Sequence, residues 1–295
     1  MIATIKIAAG VIFALLLLRL VVLALEPRLT FFPSRDLVLT PAAIGLPYED
    51  AAVETEDGMR LRGWFVPAPA SAAPAPVLLV FHGNAETIDS GLDLAARAHG
   101  AGLAALLAEY RGYGGNPGSP SEEAIIRDGL AFAAAAAVRA GGAPVVLWGR
   151  SIGASVAVRL AVAGHGAAVI LESPFTSARD LLRDQGAWLL LTLSHLGSYR
   201  FDTAARMADV RVPVLIIHGT RDEIAPFAHG RRLLDLARGP KEMVVLEGGG
   251  HNDLWARHAG ALWTGAERFV RALPIAAVPS RPGAAAPPAG DDQDG

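Results

Sequence analysis

The stretch of sequence from Val145 to Ala154 reads VVLWGRSIGA and places a serine between two glycines, directly after an apolar run. The run Val145–Trp148 is typical of a buried strand, and the apolar stretch Ala154–Val162 is typical of a helix. Ser151 therefore lies in a sharp strand-to-helix turn, where the flanking glycines let strand and helix pass closely because they carry no Cβ. We expect Ser151 to stand at the carboxyl edge of a sheet, beside a helix N-terminus that favours an oxyanion.

Apolar runs alternate with helical stretches along most of the chain. The runs are continuous, which is typical of strands in a parallel sheet that is buried on both faces. They cover Val77–Phe81, Leu103–Glu109, Pro144–Trp148, Ala168–Leu171, Val212–Ile217 and Glu242–Leu246. Before them, Glu49 to Phe65 reads as two strands joined at Asp57-Gly58, which is a hairpin signal. This order predicts an α/β domain with a mostly parallel, twisted sheet and helices on both faces.

Two residues that suit serine catalysis follow the later apolar runs. Asp222 lies in the loop after Val212–Ile217, and His251 follows three glycines after the last run. Because the carboxyl ends of parallel strands meet at one edge of a sheet, both side chains are expected to reach Ser151. His251 would accept the serine proton as general base, and Asp222 would orient the imidazole. The sequence therefore predicts a catalytic triad of these three residues, with Glu172 as the alternative acid.

The segment His82-Gly83-Asn84 directly follows the apolar run that ends at Phe81. In a fold of this kind, one oxyanion donor comes from the loop after this strand and the other from the residue after the nucleophile. The predicted oxyanion hole therefore consists of the backbone N–H groups of Asn84 and Ile152. We interpret His82 as a buried structural histidine bonded to loop carbonyls, because the triad needs a later histidine.

Residues 7–25 are apolar except for Arg19. A helix of this length, at about 1.5 Å per residue, extends about 30 Å, which is enough to cross a bilayer. The stretch predicts a single-pass transmembrane anchor after a short N-terminal segment, residues 1–6. The alternatives are a cleaved signal peptide, with Val22 and Ala24 at the −3 and −1 positions, and a buried helix. Basic residues flank the stretch on both sides, so the pattern leaves the side of the membrane open.

The composition excludes several classes of site. The chain has no cysteine, which excludes disulfides, a thiolate nucleophile, Cys-based zinc or iron–sulfur sites and a lipid attached through cysteine. The formal net charge is −3 and no basic stripe occurs, so we expect no nucleic acid partner. No histidine spacing of the H-E-x-x-H type occurs, so we predict no metal and no cofactor.

Six motifs that occur in a fixed order make the pattern more specific than the serine turn alone. They are His82-Gly83-Asn84-Ala85, Tyr110-Arg111-Gly112-Tyr113-Gly114, Gly149-Arg150-Ser151-Ile152-Gly153, Glu172-Ser173-Pro174-Phe175-Thr176-Ser177, the Asp222 loop and His251-Asn252-Asp253. Over about residues 35–272 the chain resembles the α/β-hydrolase group that contains the bud-emergence-type proteins and the membrane-associated protein depalmitoylases. The resemblance implies an α/β-hydrolase fold, the same triad and the same oxyanion donors. Members of this group often carry an N-terminal hydrophobic anchor.

The segment between Glu172 and Val212 is too long for a bare connection. We interpret about residues 174–206 as a short helical cap over the site, and we assign Trp188 and Leu189 to an apolar substrate pocket. An ordinary helix that covers the sheet is the alternative. Residues 276–295 are rich in proline, alanine and glycine and end in acidic residues, which predicts a disordered tail.

These features predict a serine hydrolase that cleaves carboxylic ester or thioester bonds of hydrophobic acyl substrates. The acyl group would be carried transiently on Ser151. A serine peptidase or amidase with the same triad is an alternative. A non-catalytic, membrane-tethered binding protein on the same fold is another, against which the complete triad argues.

Overall fold

One eight-stranded sheet carries the polar loops singled out above. The computed structural model describes residues 2–72 and 74–273. The strands are β1 (Glu49–Glu54), β2 (Arg60–Val66), β3 (Val77–Phe81), β4 (Ala104–Ala108), β5 (Val145–Arg150), β6 (Ala168–Glu172), β7 (Val214–Gly219) and β8 (Lys241–Leu246). Their order across the sheet is β1-β2-β4-β3-β5-β6-β7-β8. Only the pairs β1–β2 and β2–β4 are antiparallel. The mostly parallel sheet that the continuous apolar runs predict is confirmed.

Nine α-helices occur in the described part of the chain. They are α1 (Ile2–Thr30), α2 (Leu92–Gly100), α3 (Glu122–Ala140), α4 (Ile152–Val162), α5 (Ala178–Asp184), α6 (Trp188–Leu193), α7 (Thr203–Met207), α8 (Phe227–Leu236) and α9 (Leu254–Arg271). Helices α3, α4 and α8 pack on one face of the sheet, and α2 and α9 pack on the other. Both faces are therefore covered, as in the α/β domain that the sequence predicts.

The side chains of β3 show why its sequence is apolar throughout. Leu79 and Phe81 belong to the core on the α3–α4 side, whereas Leu78 and Val80 belong to the core on the α2–α9 side. Successive residues of a strand point to opposite faces, so a strand between two helical layers needs apolar residues at every position. Polar residues can begin only where the strand ends, which is at the carboxyl edge that carries the site.

Helix α1 is longer than the predicted anchor of residues 7–25. Its apolar stretch has a mean hydropathy of 2.8, and none of that stretch is buried against the rest of the protein. By length and composition this helix can cross a bilayer, as an anchor or as a signal sequence. The chain enters the folded domain at once after the helix, because Phe31 is only 4% exposed.

The connection between β6 and β7 contains three short helices, α5 to α7. Helices α5 and α6 lie within the segment assigned to the cap, about residues 174–206, and α7 ends one residue beyond it. The predicted tail, residues 276–295, lies outside the described residues.

Candidate active site

Ser151 lies between the last residue of β5 and the first residue of α4. Its φ angle is 51°, a strained value for a residue with a side chain. The turn is held by the Ser151 N–H, which donates to the carbonyl oxygen of Glu172 at 2.9 Å. A Cβ at Gly149 would overlap the Gly153 carbonyl, and a Cβ at Gly153 would overlap the Phe81 carbonyl. Both glycines are therefore required for the close packing of β3, β5 and α4.

His251 and Asp222 meet Ser151 at the carboxyl edge of the sheet. The His251 Nε2 lies 3.1 Å from the Ser151 Oγ, and its Nδ1 lies 2.8 Å from Oδ2 and 3.0 Å from Oδ1 of Asp222. His251 is 5% exposed and Asp222 is 6% exposed. The structure thus brings together the three residues of the predicted triad. Their order, hydroxyl to imidazole to carboxylate, is the arrangement that activates a serine.

Several donors hold Asp222 in its ionised form. Its Oδ1 accepts the backbone N–H of Ile224 at 3.0 Å and of Ala225 at 2.7 Å. The buried His218 places Nε2 3.2 Å from Asp222 Oδ2. Burial opposes ionisation, but the hydrogen bonds from His218 and His251 outweigh it and lower the pKa of Asp222 well below its ordinary value. The carboxylate is therefore charged at neutral pH and can stabilise an imidazolium.

The loop after β3 passes directly beside the nucleophile. A Cβ at Gly83 would lie 3.7 Å from the Cβ of Ser151. The next residue, Asn84, carries one of the two predicted oxyanion N–H groups. Ile152, which carries the other, begins α4, so its N–H has no helical carbonyl to bond. Ile152 thus adjoins Ser151 in the chain, and Asn84 follows the glycine that lies beside Ser151, while their roles as oxyanion donors stay predictions.

His82 is a structural residue of this loop. It is 4% exposed, and its Nδ1 lies 2.7 Å from the carbonyl oxygen of Gly83. Its Nε2 lies 2.7 Å from Oε1 of the buried Glu109. The bond to a loop carbonyl agrees with the sequence interpretation, whereas the carboxylate partner was not foreseen. Glu109 also accepts the backbone N–H of Ile88 at 2.9 Å, so the pair ties the loop to the sheet edge.

Arg150 is a site residue that the sequence reasoning missed. Its guanidinium forms an ion pair with Glu86, whose other oxygen accepts the Gly83 N–H at 2.7 Å. It also donates to the His251 carbonyl oxygen at 3.1 Å. One cation therefore joins the turn of the nucleophile to the loops on both sides of it. The only signal in the sequence was a charged residue beside the serine, with partners far away along the chain.

Glu172, the alternative acid, has a different role from that of Asp222. Its Oε2 accepts the indole N–H of Trp148 and its Oε1 that of Trp255, each at 3.0 Å. Burial raises the pKa of Glu172, and the nearby Arg150 opposes this rise. Asp222 rather than Glu172 lies on the Nδ1 side of His251. Glu172 instead connects β5, β6 and α9 beneath the site.

Trp188 and Leu189 do not form the wall of a closed pocket. They begin α6, and their side chains are 65% and 73% exposed. The assignment of these two residues to the substrate pocket stays a prediction. A helix of six residues at the protein surface buries little of its own apolar face, and the apolar pattern alone does not tell which surface it presents.

Among residues 2–72 and 74–273, no cluster of three or more His, Asp or Glu side chains has the arrangement of a metal site. Acidic and histidine side chains near Ser151 are instead engaged with one another or with backbone groups. The chemistry that this arrangement can perform is proton transfer and nucleophilic attack by the serine hydroxyl.

Residues 72–200 match the family model described as serine aminopeptidase, S33. The Mycobacterium tuberculosis protein Rv2307c is 41% identical over 230 residues, which are 77% of this chain and 81% of that protein. The alpha/beta hydrolase domain-containing protein 17B of Xenopus laevis is 35% identical over 208 residues, 68% of each chain. The lysophosphatidylserine lipase ABHD12 of Danio rerio is 32% identical over 186 residues, 57% of this chain and 49% of that protein.

Among solved structures, the esterase Pf2001 of Pyrococcus furiosus superposes with a TM-score of 0.69. The match covers 82% of this chain and 99% of that chain at 16% identity. At this level of identity, the likeness concerns the fold.

Proposed function

The chain belongs to the α/β-hydrolase family, and from this we propose that it is a membrane-anchored serine hydrolase that cleaves ester or thioester bonds of hydrophobic acyl substrates. The observation that carries the proposal is the continuous contact from the Ser151 hydroxyl through His251 to the ionised Asp222. A serine with a positive φ at a strand-to-helix turn, with both partners in reach, is suited to nucleophilic catalysis.

In the proposed mechanism, the Ser151 Oγ attacks the acyl carbonyl carbon while His251 Nε2 takes the hydroxyl proton. Asp222 holds the Nδ1–H and stabilises the imidazolium. The backbone N–H groups of Asn84 and Ile152 bind the oxyanion, and each donor of this kind stabilises the transition state by about 3 kcal/mol. His251 then protonates the leaving alcohol or thiol. A water molecule deprotonated by His251 hydrolyses the acyl-enzyme and frees Ser151.

Two features support a hydrophobic acyl substrate. Helix α1 contains a long, exposed apolar stretch, which suits anchoring in the bilayer where lipid esters are found. The exposed side chains of α6, Trp188 and Leu189, add an apolar surface on the cap. The name of the zebrafish relative, a lysophosphatidylserine lipase, agrees with this substrate class.

The description of the matching family model favours a second candidate, a serine peptidase that removes N-terminal residues. The same triad could attack an amide carbonyl, because the geometry of the nucleophile is unchanged. Amide hydrolysis depends more strongly on protonation of the leaving amine, which His251 would also supply.

Hydrolysis of chromogenic substrates by the full chain in detergent separates the two candidates. We expect turnover of p-nitrophenyl esters, with a preference for longer acyl chains, and no turnover of aminoacyl p-nitroanilides. Ser151→Ala should abolish the ester activity, whereas Ser119→Ala, a change at an exposed serine, should leave it intact. Turnover of the anilides alone would instead establish the peptidase, and a folded protein inactive on both would contradict the proposal.

A further inference from the structure

The last turn of α1 contacts the loop that carries one of the proposed oxyanion donors. The Asn84 side chain donates from Nδ2 to the carbonyl oxygen of Thr30 at 2.6 Å. Its Oδ1 accepts the Phe32 N–H at 3.1 Å and the Tyr113 hydroxyl at 2.8 Å. The side chain is therefore bonded on both its donor and acceptor atoms. Because the side chain and the proposed oxyanion N–H belong to the same residue, the end of α1 helps to place that N–H.

Glu26, one turn before Thr30 in α1, contacts the cap between α6 and α7. The Glu26 carboxylate accepts the Ser198 N–H and hydroxyl, both at 2.8 Å to Oε2, and the Tyr199 N–H at 2.9 Å to Oε1. A Cβ at Gly197 would overlap this carboxylate, so the cap segment closes tightly around it. Hydrogen bonds to an ionised acceptor are stronger than those between neutral groups, which makes this an effective attachment.

A buried aromatic ring fills the space between these two polar attachments. Phe31 packs edge-on against Tyr199, with the ring centroids 5.6 Å apart, and against Phe201 at 6.0 Å. The segment from Glu26 to Phe32 thus touches the oxyanion loop on one side and the part of the cap between α6 and α7 on the other. Polar contacts at both ends and a ring between them make this a fixed spacer rather than a flexible linker.

We propose that Glu26 and the Asn84 side chain are positioning residues for hydrolysis, which act by fixing the end of α1 between the oxyanion loop and the cap. This inference rests on the proposed hydrolase function. Neither side chain touches the reacting atoms. Their effect is exerted through the position of the Asn84 N–H, which must meet the oxyanion within a narrow range of distance. The helix that anchors the protein is thereby also a part of the framework of its site.

The test uses the full chain in lipid nanodiscs and the variants Glu26→Ala, Glu26→Gln and Asn84→Ala. Asn84→Ala keeps the backbone N–H, so any loss of activity is due to the missing side chain alone. We measure the rate of fluorophosphonate labelling and, with p-nitrophenyl butyrate, kcat per titrated serine and KM. Displacement of the Asn84 N–H from the oxyanion is expected to lower kcat by about tenfold or more, with little change in KM. Glu26→Gln should lie between Glu26→Ala and wild type, because its amide oxygen can still accept one bond.

A double variant tests whether the two residues act through the same turn. If they do, kcat of Glu26→Ala/Asn84→Ala should lie near the lower of the two single variants rather than at the product of their losses. Glu56→Gln, a change at an exposed acid in the hairpin turn, is the matched control and should equal wild type. Tyr113→Phe removes a single hydroxyl from the Asn84 contacts and provides a milder variant if the others fold poorly.

The outcomes separate this inference from the proposed function. Wild type that labels, together with variants whose kcat per titrated serine is within twofold of wild type, would overturn the positioning role and leave the hydrolase standing. A lower melting temperature with unchanged kcat per serine would show a purely structural role and would overturn it as well. Wild type that does not label at all would overturn both.

Discussion

The guanidinium of Arg150 donates a hydrogen bond to the backbone carbonyl oxygen of His251 at 3.1 Å. The residue that precedes the nucleophile is thus bonded to the residue that serves as its proposed base. Because Arg150 also pairs with Glu86, the nucleophile turn, the His251 loop and the loop after β3 are connected through one side chain.

We expect Arg150→Met to lower kcat/KM by about tenfold to a hundredfold, because small displacements of catalytic groups are costly. Arg150→Lys should recover only part of the loss, since an ammonium cannot contact these partners with the fork geometry of a guanidinium. Steady-state kinetics with a soluble ester provides the measurement. Arg268→Met, which breaks only a surface pair with Glu242, is the control. Equal activity of Arg150→Met and wild type would show that activity does not depend on the contacts of Arg150 with the His251 loop and Glu86.

The assignment of the triad acid can be tested by exchanging each candidate carboxylate for its amide. Asp222→Asn should lower kcat by about 10⁴-fold, because His251 would be held in the wrong tautomer. The kcat of Glu172→Gln should stay within about tenfold of wild type, since Glu172 bonds two indoles rather than His251. Its free energy of unfolding should fall by about 1–3 kcal/mol, because one buried indole N–H is left without an acceptor. Kinetics and denaturant unfolding measure the two effects. The reverse order of activities would assign the acid to Glu172.

Two glycine-to-alanine replacements, one in the nucleophile turn and one on the surface of α9, should change the stability of the fold in opposite directions. Gly153→Ala places a Cβ into the Phe81 carbonyl and should destabilise the fold by about 1–3 kcal/mol or more. Gly260→Ala, at an exposed position of α9 with open space around its Cβ, should stabilise the helix by about 0.5–1 kcal/mol. Denaturant midpoints compare the two. A Gly153→Ala protein as stable as wild type would mean that β3 and α4 are farther apart than described.

The lowered pKa of Asp222 predicts a pH dependence of stability. The folded pKa lies below the ordinary value of 3.8, so the unfolded chain binds its proton first as the pH falls. The stabilisation is therefore complete above the unfolded pKa and is lost progressively from about pH 5 downward. Asp222→Asn lacks this contribution, so its free energy of unfolding should change less than that of wild type as the pH falls below about 5. Parallel pH profiles of wild type and variant would contradict the ionised, bonded state of Asp222.

The strand pattern and the meeting of Ser151, Asp222 and His251 at one edge of the sheet were predictable from sequence for the same physical reason. A strand buried on both faces has to be apolar at every position, so the first polar residues after each run mark the carboxyl edge. Asp222 and His251 are far from Ser151 along the chain, yet that rule places them at the same edge. Local residue type and the position of the strand ends were sufficient.

The contacts of Arg150 and Glu26 and the exposure of Trp188 were not predictable in this way. Each depends on where a side chain points relative to a segment that is distant in sequence. Arg150 could have faced solvent, and Glu26 simply follows the apolar stretch of α1. Trp188 and Leu189 were assigned to a substrate pocket on their apolar character, but apolar side chains also occur at protein surfaces. Apolar patterning indicates a contact with something nonpolar and leaves the partner undetermined.

The central claim, that Ser151 is an activated nucleophile, is tested most directly by mapping a fluorophosphonate adduct on the full chain by mass spectrometry. The account predicts one adduct per wild-type chain, located on Ser151, and none on folded Ser151→Ala. The control Ser119→Ala should be labelled like wild type. A folded wild-type protein without an adduct, or an adduct that persists in Ser151→Ala, would contradict the account.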